Sequence, residues 1–279
     1  MKTVTSISGG RSSAYMALHY PTDYYVFAVV LTDHQPSTPK DPGLLRECRS
    51  RIPHFTASHE ADLTLLNVLR LEQEIGQEIK WVAAEYSLDQ FILGATQNPG
   101  YRAGAVMLPN SRTRFCTVEQ KLKPMFWHCF NNVYDGEPML MNIGFRWDEP
   151  DRVDGWTCDK DKFDYPSSCI IKTRRQQYRN IEWRIGNFPL YQDRITRDQV
   201  NRFWVQKGWQ FPEISNCRFC FHHRPIEQQR QAELEPANLQ WWLDMERVTG
   251  NRFGKHSLQD IISQALLDVF DHKPCHCTD

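Results

Sequence analysis

The sequence has no apolar run near the roughly 20 residues that a bilayer-spanning helix needs, which argues against an integral helical membrane protein. A signal-type hydrophobic segment is also missing, because Met1-Lys2-Thr3 leads directly into a β-branched stretch. Net charge is almost absent, −1 from 33 basic and 34 acidic side chains, so no global field recruits nucleic acid and such contact must come from a local patch. Internal repeats and low-complexity tracts are lacking, which argues against solenoids and biased tails. The nine cysteines form no even set, and without a secretion signal they favour reduced thiols, a metal site or redox chemistry over a disulfide framework. The expected location is cytoplasmic, with no membrane partner.

What is present is ordinary globular material, 41% hydrophobic and 24% charged, in a 279-residue chain long enough for one large α/β domain or two modest ones. The chain is organised around its N-terminus. Val4 and Ile7 sit in a strand-like run that ends at Gly9 and Gly10 and passes straight into Ala14-Tyr15-Met16-Ala17-Leu18, a helix start. Glycine permits backbone angles closed to other residues, and the first amides of a helix point out unpaired, so anions bind at such turns. Ser8, Ser12 and Ser13 add hydroxyls and Arg11 a fixed positive charge, which suits a phosphate-bearing ligand. An ordinary βα turn capped by Ser12 is the competing reading. Neither G-x-x-x-x-G-K-[ST] nor G-x-G-x-x-G is matched.

Alternation of element types sets the fold class. Tyr24–Leu31 reads as a strand buried on both faces, ending near Asp33, which would lie by the glycine turn as a ribose or adenine ligand or as a plain loop residue. Leucines and valines recur at helical intervals over 62–77, 79–84 reads as a third strand, Ser87 opens another helix, and 138–144 reads as a fourth strand. Together these predict a doubly wound, mainly parallel α/β sheet. The expected division is 1–215 for the nucleotide-binding unit and 216–279 for a cysteine-containing helical segment, with helices over 239–248 and 258–270. Between 146 and 184 the apolar period fades into a solvated excursion. Lys172, Arg174, Arg175, Arg179 and Arg184, interleaved with Tyr178 and Trp183, make a local patch that would hold RNA or DNA, or form a solvated face.

Two cysteine stretches carry the chemistry. Cys217-Arg218-Phe219-Cys220 is a C-x-x-C in a loop context, which favours metal over thioredoxin-type redox work. Zinc with His222 and His223 nearby, or an iron–sulfur cluster, would satisfy it. Cys116 lies in a segment with Arg112, Arg114, Lys121 and Lys123, where four cations predict an acidified thiol ready to bind metal or attack. A semi-buried cysteine with no role is the alternative for any single thiol.

Ser8-Gly9-Gly10-Arg11-Ser12-Ser13 resembles the PP-loop (SGGxDS, or the looser SGGxxS) of the adenine nucleotide alpha hydrolase superfamily, with Ser12 where the usual acid stands. Arg114-Phe115-Cys116-Thr117 through Lys121 and Pro124 is similar to the R-x-C-T-x-x-x-K-x-x-P stretch of PAPS reductases and their relatives, where a later C-x-x-C completes a cluster. The segment Gly144-Phe145-Arg146 to Glu149 and Arg152 is similar to their G-x-R-x-x-E-S-x-x-R. Phe188-Pro189-Leu190 and 195–200 match the run toward the C-x-x-C, so scattered motifs span roughly 3–225. The likeness is to the PAPS-reductase-like proteins often carried by phages.

That resemblance implies an adenine nucleotide, ATP or PAPS/APS, with magnesium, held by Ser8, Gly9, Gly10, Arg11, Ser12, Ser13, Asp33, Arg146, Glu149 and Arg152. It implies a 4Fe-4S cluster on Cys116, Cys217 and Cys220, zinc being the alternative, with a fourth position open as in iron–sulfur tRNA thiolation enzymes or closed by His222, Cys275 or Cys277. The implied activity is ATP-dependent sulfur transfer, the acceptor being adenylated and then thiolated, with Cys116, Arg114, Lys121 and Lys123 at the reacting centre. A cysteine desulfurase or a thiol reductant would be a partner. The rival enzyme is a sulfonucleotide reductase, an oxidoreductase using a tail thiol, and the non-enzymatic reading is a nucleotide- or partner-binding protein.

Overall fold

The β-branched run at the N-terminus forms strand β1 (Thr3–Ile7), the middle of a five-stranded parallel sheet in a computed structural model of the chain. The structure describes residues 1–95, 104, 106–110, 114–158, 168–172, 178–214, 216–218, 220–254 and 256–263. Strand β2 (Tyr24–Val29) pairs with β1 so that Val4 faces Tyr24 and Ile7 faces Phe27. The short strands β3 (Leu31–Thr32) and β4 (Ala57–Ser58) pair antiparallel outside the sheet. Strands β5 (Ile79–Ala83) and β6 (Met139–Asn142) join the sheet on opposite sides. An antiparallel pair, β7 (Ser168–Lys172) and β8 (Tyr178–Glu182), leads to the edge strand β9 (Arg184–Asn187). Across the sheet the order is β5-β2-β1-β6-β9, so the chain winds outward in both directions from β1, the doubly wound α/β arrangement that the alternating elements predict. The reversal falls between β1 and β6, and open sheets of this kind bind ligands beyond their C-terminal strand ends at such a point.

Side chains of alternate parity divide the core between the two faces. Ile7, Tyr25, Phe27 and Trp81 pack under α1 (Arg11–His19), α2 (Pro42–Arg51) and α3 (Asp62–Ile75), together with Val200 and Trp204 of a later helix. Helix α3 stops at Gly76, which takes a left-handed φ of 65°. Val4, Val26, Met139 and Met141 face the other way, against Met125, Phe126 and Cys129. A third apolar cluster roofs the C-terminal edge. It joins Val30, α4 (Leu88–Ile92) and α5 (Phe115–Thr117) to Trp241, Trp242 and Phe253. Ser87 caps α4 through a reciprocal bond with Gln90.

Helix α6 (Lys123–Asn132) continues from α5 through one π-helical turn over Val118–Leu122. Pro124 has no amide to give Gln120, and its ring crowds that carbonyl, so the chain widens there. Next come α7 (Pro150–Cys158), α8 (Pro189–Gln192) and α9 (Arg197–Lys207), then α10 (Pro225–Leu234), α11 (Pro236–Thr249) and α12 (Leu258–Ser263). Residues 264–270 of the expected last helix lie outside the described residues.

Three expectations are corrected. The second strand ends at Val29 and not Leu31, because His59 donates to the Val30 carbonyl and the Val30 amide donates to Glu60, which draws the chain off the sheet. The 146–184 stretch is not solvated throughout, since Glu149, Val153, Ile181 and Trp183 are buried. Trp183 and Arg184 offer nothing to a surface patch. They are 1% and 2% exposed, and the Arg184 guanidinium donates to the Met141 sulfur. Arg174 and Arg175, and the side chains of Lys172, Tyr178 and Arg179, lie outside the described residues. No described helix is long and apolar enough to cross a membrane.

Candidate anion cradle and thiol cavity

The turn after β1 is held by its own serines. Ser13 Oγ donates to the Gly10 carbonyl at 3.1 Å, accepts from the Ser8 amide at 3.1 Å and lies 2.9 Å from Ser8 Oγ. Gly9 has φ 77°, and a Cβ there would fall 2.3 Å from Thr64 Cγ2. Gly144, in the loop after β6, comes so close that its Cβ would stand 3.2 Å from the Ser13 amide nitrogen. The two loops at the switch point therefore meet backbone to backbone. Helix α1 starts there with no side-chain cap, leaving its first amides for another acceptor.

Arginine surrounds this turn. Arg146 donates to Ser12 Oγ at 2.8 Å, and the buried Glu149 fixes it, taking the Arg146 amide at 3.1 Å and its guanidinium at 3.2 Å. Glu149 also binds Arg152 at 2.8 Å, and Arg152 stacks over Phe145 with 4.0 Å to the ring centroid. Arg11 lies 5.5 Å from the Phe211 ring centroid, and burial and then Arg197 pull its pKa below the ordinary arginine value. Asp33 is exposed, its amide donating to Asp89.

The three cysteines singled out by sequence line one cavity. Its volume is about 40 Å³, against the roughly 10–15 Å³ that one water needs, so it has room for more than one water-sized group. Cys116, Cys217 and Cys220 share it with Lys121, Arg114, Thr117, His59 and His222. Leu88, Phe221, Trp241 and Phe253 supply apolar wall. None of the three thiols is in a disulfide. Lys123 is not in the lining; its ammonium stands 2.6 Å from Glu119 Oε2. His222 lines the cavity, whereas Cys275 and Cys277 lie outside the described residues.

Electrostatics here runs partly against expectation. Burial raises the Cys116 pKa and outweighs Lys121, Thr117 and Arg114, which all pull it down, so the thiol is not acidified as the cation-rich segment predicts. For Lys121, burial works against the charge, but Glu60, Cys217 and Cys116 overcome it and the pKa stands above the ordinary lysine value. Burial pushes His59 down to about 4, leaving a neutral ring on the cavity wall at neutral pH.

Residues without any motif build the join between cradle and cavity. The chain at 216–218 runs antiparallel to 59–61: Ala61 donates to the Asn216 carbonyl at 3.1 Å, Cys217 bridges Glu60, and the Arg218 amide donates to the His59 carbonyl at 2.7 Å. Glu60 is fully buried. One oxygen accepts from Val30 and Ser58, and the other sits 3.3 Å from Lys121 Nζ. Asp89 secures the roof by accepting from Trp241 at 2.6 Å and Thr32 at 2.6 Å. Glu60 stands among Ser58, His59 and Asp62, and nothing in that polar run of sequence sets it apart.

Three thiols and two cations on one lining are a donor set that would fit an iron–sulfur cluster. Among the described residues no group of three or more His, Cys, Asp or Glu side chains is close enough to hold a single metal ion, as zinc with four ligands at about 2.0–2.3 Å requires. A cluster spreads its thiolates over separate irons, and three thiols round one cavity with two cations to offset their charge would meet that need.

No protein-family model and no curated protein matches the chain. Among solved structures it is similar to the U34-tRNA thiolase NcsA from Methanococcus maripaludis with its 4Fe-4S cluster, at 14% identity and a TM-score of 0.39, over 95% of this chain and 80% of that one. So distant a likeness carries no argument about chemistry, which rests on the geometry of the cradle and cavity.

Proposed function

We propose that this chain is an ATP-using, iron–sulfur-dependent sulfur-transfer enzyme of the PP-loop type. The observation that carries the reading is the shared cavity of Cys116, Cys217 and Cys220, whose C-x-x-C side is bonded directly to the glycine turn through Asn216. The Ser8–Ser13 turn, with its uncapped helix amides, would hold phosphate oxygens, and Arg146, fixed by Glu149, would close on them from the loop after β6. An acceptor oxygen would attack the α-phosphorus as the bond to pyrophosphate breaks, and the positive charge of Arg114 and Lys121 would offset the negative charge that grows there. Magnesium would be carried by the nucleotide phosphates. Cys116, Cys217 and Cys220 would hold the cluster, which when bound supplies a sulfur nucleophile beside the adenylated acceptor. Lys121, kept charged by Glu60, balances the thiolates in an apolar pocket where unpaired charge would be costly.

Anaerobic purification with iron and sulfide counting tests this. The parent is expected to hold about four irons per chain, and Cys116→Ser to fall to a small fraction of that, with ATP–pyrophosphate exchange detectable only in the presence of an acceptor. Unchanged iron in Cys116→Ser, or stoichiometric zinc in place of iron, would overturn the reading. Release of sulfite from PAPS or its unphosphorylated analogue would replace it with sulfonucleotide reduction.

A further inference from the structure

We infer that Asn216 couples the two half-sites: its side-chain amide donates to a phosphate oxygen bound at the glycine turn, and through it Cys217 senses whether the turn is occupied. The inference rests on the nucleotide reading above. Asn216 Nδ2 donates to the Ser8 carbonyl at 3.2 Å and covers Gly10, lying 2.7 Å from where a Cβ would stand. A primary amide has two hydrogens, so one remains for an oxyanion. The residue is half-buried, within reach of a ligand entering the turn.

Any anion settling on the Gly10 face must engage this amide or displace it. The backbone from Asn216 onward is anchored. The Asn216 carbonyl is held by the Ala61 amide, Cys217 is bridged to Glu60, and Arg218 is locked by its amide on His59 and its guanidinium on Asp62 at 2.6 Å. Glu60 meanwhile holds Lys121 on the cavity wall. A displacement at Asn216 is therefore delivered to the adjoining thiol and to the cation that faces it. Coupling between sites is a free energy that both ligands share, so it can be read from either end.

The test uses the full chain, reduced and stripped of iron. ATP affinity is measured by equilibrium dialysis, and the rate at which iodoacetamide labels Cys217 is followed by peptide mass spectrometry with and without saturating ATP. In the parent, ATP is expected to change the labelling rate roughly five-fold or more. Asn216→Ala should weaken ATP binding roughly ten-fold, the loss of one hydrogen bond to a charged group, and at renewed saturation leave Cys217 indifferent to ATP. Asn216→Asp keeps the shape of the side chain but cannot donate, and it serves if the alanine variant fails to fold. An ATP effect on Cys217 that persists at full size in the saturated variants overturns the coupling, as does a parent that binds ATP while Cys217 does not respond. A parent that binds no ATP overturns the nucleotide reading itself, and the coupling with it.

Discussion

Replacing Arg218 by methionine is expected to lower the midpoint of thermal unfolding by roughly 4–9 °C and, under the proposed iron–sulfur function, to strip most of the iron from the purified chain. Arg218 is the second residue of the C-x-x-C, yet it is 7% exposed and points away from solvent. Its guanidinium donates to Asp62 at 2.6 Å and to the Glu60 carbonyl at 3.3 Å, and stands 3.5 Å from Glu235. Removing one partner of a buried pair costs about 3–5 kcal/mol because the other charge is left behind. Asp62 and Glu235 each keep 28% of their side-chain surface in water, which brings the expected cost nearer 2–3 kcal/mol, at roughly 2–3 °C per kcal/mol. Arg218→Lys should fall between, since one ammonium cannot serve three acceptors in a plane. A methionine variant that melts within about 1 °C of the parent and keeps its iron would show that the loop is held by something else.

Gly9→Ala should be comparably damaging, and its cost can be separated into two parts. A residue with a Cβ at φ 77° costs about 1–2 kcal/mol. Crowding adds about 1–3 kcal/mol, because the new methyl would sit 2.3 Å from the buried Thr64 Cγ2 and the turn or α3 must shift. The sum, about 2–5 kcal/mol, should lower the melting midpoint by roughly 4–15 °C, and a displaced turn should lose ATP binding. Gly76 offers the control: its φ is 65° but nothing lies within 4 Å of its Cβ position, so Gly76→Ala should show the conformational share alone. Adding Thr64→Ser to Gly9→Ala removes the offending methyl and should recover the crowding share only. If Gly9→Ala and Gly76→Ala melt together, the close packing at the turn has no energetic weight.

Much of the sheet is legible in the sequence because its signals are local. The β-branched run before Gly9-Gly10 marks β1 and α1, the leucine spacing marks α3 to within two residues of its glycine stop, and Ser87 announces α4 by its cap. Edge strand β9 is not legible, because Arg184 and Asn187 look like loop residues and become strand only by pairing with Met139 and Asn142. The cysteines can be picked out by type and spacing, but their common cavity is a product of long-range packing. Glu60 and Asn216 carry no periodicity and no motif. They matter through a ladder between segments more than 150 positions apart, and only coordinates reveal it. The acidified Cys116 expected from its cationic neighbours fails for a related reason: charge can be counted along the chain, while desolvation depends on what folds over the thiol.

The bridge between Glu60 and Cys217 also dictates an order of biogenesis. During synthesis the glycine turn has its packing partners only once Thr64 and Gly144 have left the ribosome, and the thiol pocket has no floor until Cys217 emerges and no roof until Trp241 and Phe253 follow. Whatever inorganic cargo those thiols carry is thus inserted only after Phe253 has been translated, and nascent chains stalled before that point should capture none.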